Sequence, residues 1–273
     1  MALVKIKASE IKRENETWLL YGPHGGGKTY VAGTFPRPIA ALSSTREKGH
    51  TTLAGLDSCD VFVCDSRKDL DEGLALLYRD HAKYATLVLD GMTSFFEMML
   101  SEVRESNIDS KHPDGYIARD DWTDLGIYFV DLLTTMRRYP WEVVWTANIG
   151  SFEDKMMDAQ PVARTAGNKE NPTVFLRAGP ASYRWLAERL PPKFDNLIYM
   201  EGRADSRGVP TFYAYPSGLG RIGGRMRGVQ PGAEMPFPTW KKLRALADNP
   251  LFGGKPQAAP AAPPPDADPG KPQ

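Results

Sequence analysis

Gly22-Pro23-His24-Gly25-Gly26-Gly27-Lys28-Thr29 constrains this chain more than any other stretch of it. It satisfies the phosphate-loop pattern G-x-x-x-x-G-K-[ST] at every fixed position. The run Thr17-Trp18-Leu19-Leu20-Tyr21 before it reads as a buried strand, and the residues after it can begin a helix. Such a loop needs that setting. Glycines let the backbone turn several N–H groups toward one anion, and a helix N-terminus adds its dipole at the same point. Lys28, exposed before a ligand arrives, is placed to reach the β- and γ-phosphates. Thr29 is placed to hold Mg²⁺ through its hydroxyl. Tyr30 follows in the same nucleotide-binding segment. The bland alternative is a glycine-rich turn with a solvated lysine.

A second part of such a site would be a carboxylate at the end of a buried strand beside the loop, holding Mg²⁺. Thr86-Leu87-Val88-Leu89-Asp90 supplies it in Asp90, which could otherwise be a turn or helix-capping aspartate. Thr146-Ala147-Asn148 ends another strand candidate, and Asn148 is the candidate for sensing the γ-phosphate or orienting water. A catalytic base should lie near the end of the strand after the phosphate-loop helix. That stretch reads Ser43-Ser44-Thr45-Arg46-Glu47, so Glu47 is the nearest acid, against the reading of a solvated loop glutamate. Arg225 and Arg227, in Gly223-Gly224-Arg225-Met226-Arg227-Gly228, could reach a phosphate on a neighbouring subunit, or could be a solvated basic turn.

Strand-like runs alternate with helical ones over the first 150 or so residues: Pro38 to Ser43, Asp60 to Val63, a helix from Asp69 to about His81, Thr86 to Asp90, a helix from about Ser94 to Arg104, a helix over 120–138 and the strand Glu142 to Thr146. The face Trp122, Leu125, Phe129, Leu132, Leu133 and Met136 has helical period. The pattern implies an α/β fold with a mostly parallel sheet covered on both faces. Residues 151–179 are polar and aperiodic, with Arg164, Lys169 and Arg177 among them, and read as a long functional or disordered loop. A short helix is expected around Ala181 to Leu190. Asn196 to Met200 and Thr211 to Tyr215 are expected to add a hairpin to the sheet, and Trp240 to Ala247 a last helix. Residues 1–252 therefore read as one nucleotide-binding domain, and 253–273, rich in Pro and Ala, as a disordered tail.

Composition narrows the class without naming a partner. Over 273 residues, 34 Lys plus Arg balance 34 Asp plus Glu, so any basic surface must be local. No apolar run reaches a membrane span, and the N-terminus lacks a secretory h-region. Cys59 and Cys64 have no redox or zinc spacing and read as reduced, buried thiols of a cytoplasmic protein.

Taken together, these residues resemble the phage nucleotide-binding proteins with a RecA-type P-loop ATPase core, a group that includes ATP-dependent single-strand annealing proteins of phage recombination. The resemblance runs from about Ile6 to Ala247. It rests on Tyr21-Gly22-Pro23 leading into Gly27-Lys28-Thr29, on Leu87-Val88-Leu89-Asp90, on Asp121-Trp122 opening a helix, on Val143-Val144-Trp145-Thr146-Ala147 and on Phe194-Asp195-Asn196-Leu197. It implies a RecA-like core with C-terminal antiparallel strands, ATP and Mg²⁺ as cofactors, single-stranded DNA bound through residues 151–179, and a homo-oligomer in which Arg225 and Arg227 reach a neighbour's ATP. A single-strand-binding protein is a candidate partner, and the bacterial host cytoplasm the expected location. The family usually ends its second strand with an Asp-x-Glu-like acidic pattern, where this chain has Ser43-Ser44-Thr45. Two other readings fit the loop: a non-hydrolysing nucleotide-gated scaffold or helicase loader, and a small-molecule kinase.

Overall fold

Short strands buried along their whole length, joined by helices, close into three layers. The structure, a computed structural model, describes residues 15–109, 111–151, 174–176, 190–204, 208–216, 226 and 234–248. The strands are β1 (Thr17–Gly22), β2 (Ile39–Ser44), β3 (Cys59–Cys64), β4 (Thr86–Asp90), β5 (Glu142–Ser151), β6 (Val174–Leu176), β7 (Asn196–Ala204), β8 (Pro210–Tyr215) and β9 (Met235–Pro236). The helices are α1 (Lys28–Ala32), α2 (His50–Leu53), α3 (Arg67–Arg79), α4 (Met92–Ser106), α5 (Arg119–Met136) and α6 (Trp240–Asp248).

The main sheet runs β3-β2-β4-β5-β1-β7-β8-β9. Every pairing from β3 to β7 is parallel. The β7–β8 and β8–β9 pairings are antiparallel, so the expected hairpin does extend the sheet. Parallel neighbours need crossovers, and these put helices on both faces. Alternation along each strand then feeds two cores. Trp18 and Leu20 of β1, Val88 of β4 and Val144 of β5 pack with Val31, Leu53 and Leu243 on the α1, α2 and α6 side. Leu19, Leu89 and Trp145 pack with Leu70, Phe95, Phe129 and Leu133 on the α3, α4 and α5 side. Burial on this scale is the main favourable term holding the layers together, and truncating one ring such as Phe129 to alanine costs about 3–5 kcal/mol.

Local signals set the helix starts. Ser66 caps α3 by accepting from the Asp69 N–H, and the Asp69 carboxylate accepts from the Ser66 N–H in return. The Asp121 carboxylate accepts from the Ala118 N–H at 2.8 Å and opens α5. Leu125, Phe129, Leu132, Leu133 and Met136 of α5 are buried, with Trp122 half-buried at the margin of the core.

The structure departs from the sequence reading where β5 ends. β5 does not stop at Thr146 or Asn148 but continues to Ser151, and β6 pairs back on it through Ile149↔Leu176 and Ser151↔Val174. Part of the stretch 151–179 is therefore ladder rather than loop. Three residues are too few to show a period, which is why β6 was not legible. α1 is only five residues long, because Phe35-Pro36 follows so closely. The helix expected over 181–190 lies, apart from Leu190, outside the described residues; so do 218–228 apart from Met226, and the tail 253–273. Cys64 is buried and Cys59 half-buried, both as free thiols. Among the described residues no helix is long and apolar enough to cross a membrane.

Candidate nucleotide site

Parallel strands deliver their C-terminal ends to one edge of the sheet, where α/β folds bind ligands. Register makes that edge a single site. Gly22 of β1 stands beside Asn148 of β5, and Ser43 of β2 beside Asp90 of β4. β5 lies between the phosphate-loop strand and the Asp90 strand, so Thr146 and Asn148, two residues apart and on one face, sit between the two halves of the site.

The phosphate loop keeps its shape by backbone contacts. The Gly26 N–H donates to the Pro23 carbonyl at 3.2 Å, and the Val31 N–H to the Gly27 carbonyl at 2.9 Å. Gly27 has φ +80°, and a side chain there would collide with the ring of Phe212, so glycine is required on both grounds. Pro23, His24 and Gly25 are exposed at the loop tip, Gly26 is buried, and Gly27, Lys28 and Thr29 are half-buried. Gly27 caps α1 without a side-chain hydrogen bond. With so short a helix the macrodipole is small, and the loop N–H groups and Lys28 carry the attraction for an anion. Lys28 is not the exposed side chain that its motif suggests. Its Nζ donates to the Gly22 carbonyl at 2.9 Å and the Pro23 carbonyl at 2.8 Å. Burial pulls its pKa down to about 8, against the charges of Glu47 and Asp90.

Asp90 is only 3% exposed. Its Oδ1 accepts from Thr29 Oγ1 and Thr146 Oγ1, each at 2.8 Å. Thr146 Oγ1 itself accepts from the Gly91 N–H at 2.7 Å, which fixes the direction of its own proton. The other oxygen, Oδ2, is buried and finds no hydrogen-bond partner among the described residues. It faces bare backbone: a Cβ on Gly49 would collide with it. Burial pushes the Asp90 carboxyl up; the Thr146 and Thr29 hydroxyls and the Lys28 charge oppose this, and Glu47 adds to it. A buried carboxylate oxygen without a donor is costly, and a hard cation is what such an oxygen accepts. Thr29 and Asp90 therefore fit a Mg²⁺ ion.

Glu47 is no solvated loop glutamate. It is half-buried, its Oε1 accepts from Asn148 Nδ2, and its Oε2 lies against Gly91. The Asn148 N–H donates to Thr93 Oγ1 at 3.0 Å, so Asn148 is pinned through main chain and side chain alike. The structure thus brings Lys28, Thr29, Glu47, Asp90 and Asn148 together. Arg225 and Arg227 lie outside the described residues, as do Arg164, Lys169 and Arg177; Met226, between the two arginines, is buried in the α1 and α6 core. Sequence reasoning passed over Thr146, Thr93 and the close approach of the β7–β8 hairpin to the loop. Thr146 had a signal, because it shares a strand face with Asn148. The hairpin had none, since only the pairing of β1 with β7 brings it there.

Comparison with known families agrees with this geometry. A family model described as an AAA domain matches residues 14–202, a span that holds every one of the five residues just named. A comparison with curated proteins finds no match.

Proposed function

Because the chain belongs to the AAA-domain family of P-loop nucleotide-binding ATPases, we propose that it is a RecA-type, Mg²⁺-dependent ATPase that acts on single-stranded DNA in phage recombination, promoting annealing or strand pairing as a homo-oligomer. The observation that carries the ATPase part is the meeting of three groups on neighbouring strand ends: the Thr29–Asp90 pair with its free carboxylate oxygen, Lys28 in the loop, and Glu47 held by Asn148.

The roles follow from placement. The loop N–H groups and Lys28 bind the phosphates, and Lys28 gives up two carbonyl partners to do so. Thr29 and Asp90 are the residues that would hold Mg²⁺, which supplies charge to neutralise the β- and γ-phosphate oxygens. Glu47 accepts the proton of the water whose oxygen attacks the γ-phosphorus, while the bond from that phosphorus to the departing ADP breaks. Asn148 keeps Glu47 in position and stands where it can also meet the γ-phosphate. Catalysis of this kind is mainly positioning and charge neutralisation.

The DNA part rests on the resemblance and on one connection. β5 carries Asn148 and runs straight on to Ser151, and the chain from there to β6 includes Arg164 and Lys169, with Arg177 just beyond β6. A strand bound there would act on the same β-strand that carries Asn148, the partner of Glu47. Arg225 and Arg227 would enter a neighbour's site. ATP turnover with and without single-stranded DNA, alongside native mass and anisotropy at two salt concentrations, tests the reading. DNA-stimulated turnover by an oligomer whose DNA affinity falls with salt is expected. No DNA binding at low salt with ATP present contradicts the DNA role and leaves the ATPase.

A further inference from the structure

Beside the phosphate loop stand two aromatic side chains, with a third one backbone step further along the sheet edge, to which the ATPase mechanism gives no task. Tyr30 follows Thr29 directly on α1. Phe212, on β8, presses its ring against Gly27 of the loop. The ring centroids of Tyr30 and Phe212 are 5.9 Å apart, tilted by 38°. Phe237 continues the β8–β9 ladder: its N–H donates to the Phe212 carbonyl at 2.8 Å, one step beyond the Tyr213↔Pro236 pair, so it stands directly across from Phe212.

Tyr30 is 53% and Phe237 58% exposed. Neither ring contributes to the core as a buried side chain of this size would. Phe237 also has φ +48°, a left-handed conformation unusual for an aromatic residue. Such strain persists where the surroundings impose it, most often near a functional site. Tyr30 and Phe212 stand at the loop that takes the phosphates, and Phe237 is joined to Phe212 through the backbone one ladder step away.

We propose that Tyr30, Phe212 and Phe237 form a shelf on which the nucleobase of the bound nucleotide stacks. The proposal rests on the phosphate-loop reading and adds to it the place of the base: a nucleoside triphosphate gripped by the face of its base as well as by its phosphates. Every base has a π-face, so rings select for the presence of a base far more than for its identity. Continuity with the phosphate site is what favours a base over a protein partner here. Tyr30 is adjacent in sequence to the Mg²⁺-holding threonine, so a nucleotide with its phosphates in the loop has its nucleoside end at the shelf's disposal.

The test compares ATP with inorganic triphosphate, both with Mg²⁺, by calorimetry on the full chain. The wild-type chain should bind ATP about tenfold or more tighter than triphosphate. Tyr30→Ala and Phe237→Ala should shrink that ratio toward one and leave triphosphate affinity unchanged, while Tyr30→Trp should preserve it. Equal wild-type affinities, or Tyr30→Ala lowering both ligands alike, would overturn the shelf and leave the loop reading intact. Unchanged ATP affinity in both alanine variants with weakened self-association would also overturn it, making the rings a subunit interface. A wild-type chain that binds neither ligand would overturn the phosphate-loop reading and the shelf with it.

Discussion

The two ends of the one sheet bury acids in opposite ways. At the N-terminal end of the strands, Glu142 Oε2 accepts from Trp18 Nε1 at 2.7 Å and the Glu16 N–H at 3.2 Å, and its Oε1 lies 3.5 Å from Arg244. Asp195 Oδ2 accepts from the Thr17 N–H and Thr17 Oγ1, and its Oδ1 from Arg137 at 2.8 Å. At the C-terminal end Asp90 shares one oxygen between two hydroxyls, and the other has no partner among the described residues. At the first end both oxygens of Glu142 and of Asp195 have partners, and Arg244 of α6 lies 3.5 Å from Glu16, just before β1, and 3.5 Å from Glu142 of β5. At the second, Asp90 Oδ2 is left without a donor among the described residues. Burial alone does not distinguish a structural acid from a functional one; a buried oxygen left without a donor is the feature that calls for a further explanation.

Substitutions at the two ends should therefore part company. The largest effect is expected for Glu47→Gln, which removes the proton acceptor while leaving an amide-sized group beside Asn148. ATP turnover should fall by about 10²–10³-fold with ATP affinity nearly unchanged, measured by phosphate release and calorimetry. Lys28→Ala should cost about 10²-fold in ATP affinity through lost charge-assisted bonds to phosphate, with only a small change in Tm from the two loop carbonyls it leaves. Unchanged affinity in the folded variant would mean that the loop is not the phosphate site.

At the other end Arg244→Ala should leave ATP affinity alone and destabilise the fold by about 1–3 kcal/mol in urea, because it strips a partner from two acids that are mostly buried. A loss of ATP affinity in this variant would erase the contrast between the ends. The smallest effect is a pH dependence. Burial raises the Glu142 carboxyl, against the Trp18, Glu16 and Arg244 contacts. The folded protein then keeps a proton that the unfolded chain has already released, so stability falls as pH rises from the ordinary glutamate range through the raised value. Asp195 has the opposite sign: burial would raise its carboxyl, but Thr17 and Arg137 outweigh it and hold it low. Its stabilisation is present above the ordinary aspartate range and is lost as pH falls through the lowered value. Glu142→Gln should remove the decline on the rising side in a series of Tm measurements and leave the Asp195 limb in place.

Legibility in the sequence followed the range of the interactions. The phosphate loop is a contiguous pattern and could be read outright. Asp90 could be read because an apolar strand ending in Asp is also local, and Asn148 because it closes an apolar run, although β5 carries on past it. Glu47 could be named only as the nearest acid. It lies beyond the end of β2, and what makes it part of the site is the β2–β4–β5 order, which brings it to Asn148. The hairpin of β7 and β8 was visible as two runs around Gly208-Val209-Pro210. That Phe212 rests on Gly27 was not, because it depends on β7 choosing β1 as its neighbour.

The contrast between the ends is tested most directly by the Mg²⁺-dependent thermal shift that ATP produces in Asp90→Asn, measured beside Arg244→Ala. A neutral amide is cheaper to bury than a carboxylate with an unfilled oxygen. Asp90→Asn should therefore melt at or above the wild-type temperature and lose the Mg²⁺-dependent part of the shift, while Arg244→Ala should melt lower and keep it. An Asp90→Asn protein that melts as low as Arg244→Ala and still gains its full Mg²⁺-dependent shift with ATP would show that Asp90 belongs to the structure rather than to the site.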